Sequence, residues 1–369
     1  MVIINMLDIS IELLKIIEEQ GYKAYIVGGF VRDYILNINS VDVDICTNAT
    51  PKELIEIFND AIPNEEYGSI KLTYKKVNFE ITTFRKEKKY IDNRKPMEIE
   101  YIDDLYEDLK RRDITINTIC MDSNKNIIDL MNGLKDIKSK LIRVVGDANQ
   151  KLEEDALRII RCIRFSTKLK FKIDNKTKNA IKKNAHFLKS LSYERKKEEL
   201  DKIFSNKNVK YGISLIKKLG LDKYLELKEI KKLRLVDDIL GIWAQLDVLE
   251  LYPFTKNEED QILKINKLLD SKENLNDPYT IYKYGGYIVS IVAKIRRMNV
   301  DRICGIYDNL TIYNKNEINI DGEDIIKLLN KEAGPWVSEI VKDVEKQIVY
   351  KKIENKREII EKYIINKYK

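Results

Sequence analysis

Asp42 and Asp44 stand two residues apart in Val41-Asp42-Val43-Asp44-Ile45, where apolar and acidic residues alternate strictly. Such alternation is the pattern of a half-buried strand, and residues i and i+2 of a strand project from one face. Both carboxylates then point the same way, about 7 Å apart at Cα. Two carboxylates so placed repel unless a cation lies between them, a role suited to oxygen-ligated divalent ions. Taken alone, Asp-x-Asp at a strand end is an ordinary solvated pair, and its surroundings give it more weight. Gly28-Gly29 lies upstream at a strand-to-helix turn, where missing Cβ atoms let backbone N–H groups approach a phosphate. Arg32 follows within the first helical turn. In Val77–Thr82 the apolar residues take one face and Asn78, Glu80 and Thr82 the other. Glu80 is therefore a candidate third carboxylate, or equally a strand residue facing water.

Two further segments gather charge. Arg111-Arg112-Asp113-Ile114-Thr115-Ile116-Asn117 packs two cations and an acid before a β-branched run. Arginines suit a triphosphate and the aspartate a ribose hydroxyl, although the same residues also make a plain charged helix end. In Glu154–Phe165, a helix at about 100° per residue brings Glu154, Asp155, Arg158, Arg161 and Arg164 within an arc of roughly 180°. Ala156, Ile159, Ile160 and Ile163 fall opposite. That face is either a self-neutralising surface or a template for bases. Cytosine and adenine each present an exocyclic amino donor beside a ring-nitrogen acceptor, which an Asp acceptor beside an Arg donor matches. Guanine and uracil reverse the pattern and leave buried groups unpaired, at about 1–3 kcal/mol each.

The elements that must position these residues change along the chain. Apolar residues at helical spacing over 11–20 stop at Gly21, a strand at Lys23–Val27 enters the glycine turn, and a helix follows over Val31–Leu36. Pro51 opens a helix to Phe58, and Ile70–Tyr74 and Val77–Phe84 are β-rich. From about Lys151 the pattern is helical almost without interruption, with breaks at Asn206–Asn208, Gly220, Pro253, Asp277-Pro278 and Gly334-Pro335. The reading is an α/β head followed by an all-α remainder.

Composition narrows the chemistry. The 369 residues carry 67 Lys and Arg against 60 Asp and Glu, a net charge of +7, and 44% are hydrophobic, enough for folded cores. With 14 Gly and 6 Pro the chain is neither collagenous nor linker-rich. A single histidine, His186, excludes a histidine metal cage and His-pair catalysis, leaving carboxylates and cations. The four cysteines show no CxxC pair and read as buried thiols. With neither a secretory signal nor an apolar run of membrane-spanning length, the expected location is the cytoplasm.

Gly28-Gly29-x-Val31-Arg32-Asp33, VDVDICTNATP, RRDITIN, EDALRIIRCIRF and YERKKEEL follow one another in the order and spacing of the class II CCA-adding enzymes. The chain is identified as resembling that family, the tRNA nucleotidyltransferases of the polymerase-β superfamily that are relatives of bacterial poly(A) polymerases. The match is dense over the first 205 residues or so, and the C-terminal segment from Ile318 resembles the tail of bacterial members lacking an HD domain. The resemblance implies an α/β nucleotidyltransferase head over 1–145, a neck over 146–205 and a helical body over 206–300. A helical tail over 301–369 follows, body and tail binding tRNA. It further implies two Mg²⁺ ions at Asp42 and Asp44, one lowering the pKa of the tRNA 3′-hydroxyl and one clamping the triphosphate. Nucleotide contacts carry over to Gly28, Gly29, Arg32, Arg112, Asp113, Glu154, Asp155, Arg158, Arg161 and Arg164, while Glu194 and Arg195 carry over as neck support. The reaction implied is C, C and A addition to tRNA from CTP and ATP, with pyrophosphate released. Phe84–Pro96 resembles the flexible loop of members that add the terminal A. A-only addition, poly(A) synthesis and a non-catalytic RNA-binding role stay as alternatives. Lys182-Lys183, Arg195-Lys196-Lys197, Lys217-Lys218, Lys231-Lys232, Lys351-Lys352, Lys356-Arg357, Lys367 and Lys369 are candidate phosphate partners.

Overall fold

A computed structural model describes residues 2–40, 42–64, 68–91 and 95–369, and divides them into two compact units, Met1–Lys228 and Glu229–Lys369. The first unit opens with helix α1 (Val2–Glu19), longer than the 11–20 pattern alone predicts. Its sheet strands are β1 (Ala24–Val27), β2 (Val43–Thr47), β3 (Ile62–Asn64), β4 (Ser69–Tyr74), β5 (Val77–Thr83), β8 (Cys120–Met121) and β9 (Ile127–Ile128), in spatial order β3-β4-β5-β2-β1-β8-β9. A separate antiparallel hairpin pairs β6 (Arg85–Ile91) with β7 (Lys95–Tyr101). Residues 84–96, read from sequence as a loop, are thus mostly strand; Asp92–Arg94 lie outside the described residues, as do Val41 and Tyr67.

The sheet is mixed, with β2 parallel to β5 and antiparallel to β1. Its register aligns Asp44 with Val27 on one side and with Glu80 on the other, and Glu80 with Lys71 of β4. Val43 and Ile45 are buried while Asp44 meets solvent, and Phe79 and Ile81 are buried while Glu80 meets solvent. The period-two pattern therefore places Lys71, Glu80 and Asp44 in one row across a single face. The ladder starts at Val43, so Asp42 immediately precedes the strand rather than lying within it.

Helices α2 (Gly29–Ile35), α3 (Pro51–Ile57), α4 (Leu105–Lys110) and α5 (Gly133–Ser139) complete the head region. Helix α3 begins with a capping box between Thr50 and Glu53. Val27, Cys46, Phe84, Leu109 and Cys120 pack into one fully buried cluster that pins α4 by Leu109, and the register puts Val27 and Cys120 on the face that carries Asp44. The rest of the unit contains helices α6 (Ala148–Glu154), α7 (Leu157–Leu169), α8 (Asn175–Asn184), α9 (Tyr193–Phe204) and α10 (Val209–Leu219), and a short parallel pair of strands, Leu141–Ile142 with Lys172–Ile173.

One sequence expectation fails here. Glu154–Phe165 is not a single helix: α6 ends at Glu154, Asp155 is extended at φ −141° and ψ 98°, and α7 starts at Leu157. The Asp155 carboxylate accepts from Leu157 N at 3.0 Å, so the residue serves the break rather than a continuous face. In the second unit, 3-10 and irregular backbone occupies much of Glu229–Phe254, broken by the short helix Ile239–Trp243, where helix with a break only at Pro253 was expected. Trp243 there packs on Tyr252 and Phe254 at centroid distances of 5.0 and 5.5 Å. No helix among the described residues is long and apolar enough to cross a membrane.

Candidate active site

A cleft of about 1070 Å³ opens within the first unit, lined by ten Lys and Arg residues and six Asp and Glu residues. Its floor is the strand row. Glu80 accepts from Ser69 Oγ at 3.2 Å. Water reaches Asp44 from the cleft, but the protein packed around it, together with the Glu80 and Asp42 charges, pushes its carboxyl above the usual range, against Arg112.

The glycine turn forms one wall. Gly28 sits at φ 82° and ψ −127°, a conformation open to glycine alone. A Cβ there would lie 3.6 Å from Asp44 Oδ2 and 3.7 Å from both Arg112 Nη1 and Asn117 O, so backbone, carboxylate and guanidinium crowd into one corner. Arg32 is 2% exposed; its Nη1 donates to Asn117 Oδ1 at 2.5 Å and its Nε to Asp33 Oδ1 at 2.8 Å. Asp33 is held in turn by Lys168 Nζ at 3.0 Å.

RRD and α7 supply the rest of the charged lining. Arg112 donates from Nη2 to Asp108 at 3.4 Å, and its buried Nε has no hydrogen-bond partner. Asp113 accepts from Ile114 N and Asn117 Nδ2 through Oδ1, and from Arg161 Nε and Nη2, at 2.8 and 2.6 Å, through Oδ2. Burial alone would raise the Asp113 carboxyl; Arg161 overrides it and holds it far below the usual range. With all four acceptor positions filled, Asp113 fixes Arg161 instead of waiting for a hydroxyl. Arg158 donates to the backbone carbonyls of Arg112 and Arg111 at 3.0 and 2.8 Å, and its Nε stands 3.4 Å from Asp155 Oδ2. Two of its five N–H groups remain for a ligand. Burial raises the Asp155 carboxyl, with Arg158 opposing. Arg164 pairs with Glu199 Oε2 at 2.6 Å and stacks over Phe165 at 4.1 Å.

The fold thus gathers Gly28, Gly29, Arg32, Asp42, Asp44, Glu80, Arg112, Asp113, Asp155, Arg158, Arg161 and Arg164 around one cleft. It leaves Glu154 out: that carboxylate is held by Lys151 and Gln150 within α6 and does not line the cleft. Arg195, expected to be structural, does line it. Arg111, read with Arg112 as a phosphate partner, lines it as well, and Lys71, Arg85 and Lys168 do so without having been expected there. Lys168 had a signal, since it continues the 158, 161, 164 series on α7; the others had none in a chain this rich in cations.

Residues 24–143 match the Poly A polymerase head domain family, 170–232 the probable RNA and SrmB-binding site of polymerase A, and 240–364 tRNA nucleotidyltransferase domain 2. The CCA-adding enzyme of Staphylococcus haemolyticus is 35% identical, over 95% of this chain and 96% of its own length. This chain belongs to the CCA-adding enzyme family. The CCA-adding enzyme of Ligilactobacillus salivarius is 36% identical over 95% of this chain and 94% of its own. The Bacillus stearothermophilus CCA-adding enzyme, solved in complex with CTP, superimposes with a TM-score of 0.87 at 28% identity, over 97% of this chain and 96% of that one. An α/β nucleotidyltransferase head followed by an all-α remainder, the fold expected from sequence, is borne out.

CCA-adding enzymes, as nucleotidyltransferases, imply a divalent metal, and the donor set here fits one. Asp42 and Asp44 line the same cleft, and their mutual repulsion with Glu80 is the condition a hard cation relieves. No group of three or more His, Cys, Asp or Glu side chains closes into a cage among the described residues. A small hard cation suits such an open pair, completing its shell with substrate phosphates and water.

Proposed function

We propose that this protein adds C, C and A to the 3′ end of tRNA from CTP and ATP, releasing pyrophosphate, without a nucleic-acid template. The observation that carries the reading is the cleft itself, which brings together Asp42, Asp44 and Glu80, the glycine turn and the arginines of RRD and α7. Asp42 and Asp44 would hold Mg²⁺, which supplies the positive charge that activates the tRNA 3′-hydroxyl and neutralises the triphosphate. Arg112, aimed at the Gly28 corner, takes phosphate oxygens next to that metal site. Asp155 accepts from the exocyclic amine of cytosine or adenine while the two remaining Arg158 N–H groups donate to the ring nitrogen. Attack at the α-phosphorus then rests on positioning and charge neutralisation, so the single histidine is no obstacle. The neck, body and tail (146–205, 206–300 and 301–369) carry tRNA by its backbone, and the enzyme works in the cytoplasm.

The test is incubation with tRNA ending at the discriminator base, each nucleoside triphosphate alone and all combined, with the 3′ ends sequenced. CC from CTP, A only after CC, and then termination is the expected result. A-addition restricted to CC-ended tRNA, or an untemplated A tail, would transfer the assignment to the A-adding or poly(A) alternatives. Absence of any incorporation would overturn it.

A further inference from the structure

Asp108 lies outside the cleft, yet three of the groups around its carboxylate belong to cleft residues. It sits on α4, is 0% exposed, and adjoins Leu109, which the buried cluster holds in place. Its Oδ1 accepts from Arg111 Nε at 2.8 Å and from the backbone N–H of Arg85 at 3.2 Å, and its Oδ2 faces Arg112 Nη2 at 3.4 Å. Arg85, Arg111 and Arg112 all line the cleft, and Arg85 is the first residue of β6. Burial would raise the Asp108 carboxyl; Arg111 and Arg112 outweigh it and hold the group below the usual carboxylate range.

We infer that Asp108 is a positioning residue for the triphosphate: one buried anion that fixes the aim of Arg111 and Arg112 and ties the start of the β6–β7 hairpin to them. Long arginine side chains lose rotamer freedom when they bind phosphate, and a partner that has already restricted them lowers that cost in the free enzyme. The carboxylate grips Arg112 at one terminal nitrogen, leaving Nη1 directed at the Gly28 corner. Arg158 holds the same two residues from their carbonyl side, so backbone and side chain of the arginine pair are fixed by different groups. The base-facing groups make no contact with Asp108, so its effect falls on phosphates and not on the choice of base.

The inference rests on the proposed function, and its test separates the two. Asp108→Asn keeps the shape but turns a donor toward Arg112 and removes the charge. Binding of CTP, ATP and inorganic tripolyphosphate to the full-length wild-type and variant proteins is measured by calorimetry, and steady-state kcat and KM are measured on tRNA. The expected result is an about tenfold weaker affinity for all three ligands and a KM raised by the same factor. The CTP-to-ATP ratio stays unchanged. Equal affinities in variant and wild type, or a fall in kcat with KM intact, would overturn the positioning role. Wild-type protein that binds none of the three ligands would instead sink the proposed function. Should Asp108→Asn fail to fold, Asp108→Glu, which retains the charge but displaces it, is read by the same criteria; failure of both to fold would assign Asp108 to stability alone and overturn the inference.

Discussion

Asp44 shows how a proposed metal ligand is held at a cost to stability. Its carboxyl is raised by the packed surroundings, and Glu80 and Asp42 add to this. For an acid raised in the folded state, the native protein binds more protons than the unfolded chain between the ordinary value of 3.8 and the raised one. Stability therefore falls as pH climbs through that window, and the penalty persists at neutral pH. Asp44→Asn removes it. In chelator at pH 7 the variant is expected to melt above wild type, by an amount on the order of 1 °C because water in the cleft screens the charges. Excess Mg²⁺ reverses the order, stabilising the wild type and leaving the variant unmoved. Nucleotide addition by the variant falls at least about a hundredfold. A lower melting temperature in chelator would contradict this account of Asp44. The same direction of shift at Asp155 predicts an acid limb of kcat/KM lying above 3.8, since a protonated Asp155 donates where a base amine requires an acceptor.

At the scale of elements, the strand row was legible and the links between strands and helices were not. Val43 to Ile45 and Val77 to Thr82 announce their faces by period two, and Gly28 announces a turn that only glycine takes. Glu154–Phe165 misled because Glu154, Asp155 and Ala156 fit the helical wheel of α7 equally well; the break is made by Asp155 capping Leu157, a local bond with no periodic signature. Pairings such as Arg161 with Asp113, 48 residues apart, leave no trace in local spacing. Those pairings join α7 to the glycine turn through Asp113, Asn117 and Arg32. Asp113→Asn leaves Arg161 without its charged partner and is expected to cost about 2–3 kcal/mol in urea unfolding with an unchanged m-value, tempered by the solvent on the Arg161 side. Arg195→Ala, which removes an exposed pair with Glu198, stays within about 0.5 kcal/mol. Similar losses in the two variants would deny the Asp113 network its role.

For the molecule as a whole, the net charge of +7 says less than how the lysines are partnered. Lys232, Lys356, Arg357 and Lys367 are already paired with Glu229, Glu354, Asp324 and Asp343. Lys182 and Lys183 on α8, and Lys351 and Lys352 after the helix Pro335–Val349, are exposed and form no ion pair among the described residues. An unpaired lysine that meets a phosphate releases a counterion, whereas a paired one must first give up its acid, and its net gain is smaller. Affinity for tRNA should therefore fall steeply with salt, on a slope set by the unpaired lysines. Removing both charges in Lys182→Ala/Lys183→Ala is expected to flatten the plot of log affinity against log salt by about one unit for each phosphate no longer neutralised. Lys351→Ala/Lys352→Ala acts the same way in the second unit, while Lys232→Ala/Lys356→Ala changes the slope by much less. Fluorescence anisotropy with labelled tRNA across a salt series measures each slope directly. Equal effects from paired and unpaired lysines would mean that local ion pairing does not decide which lysines engage RNA.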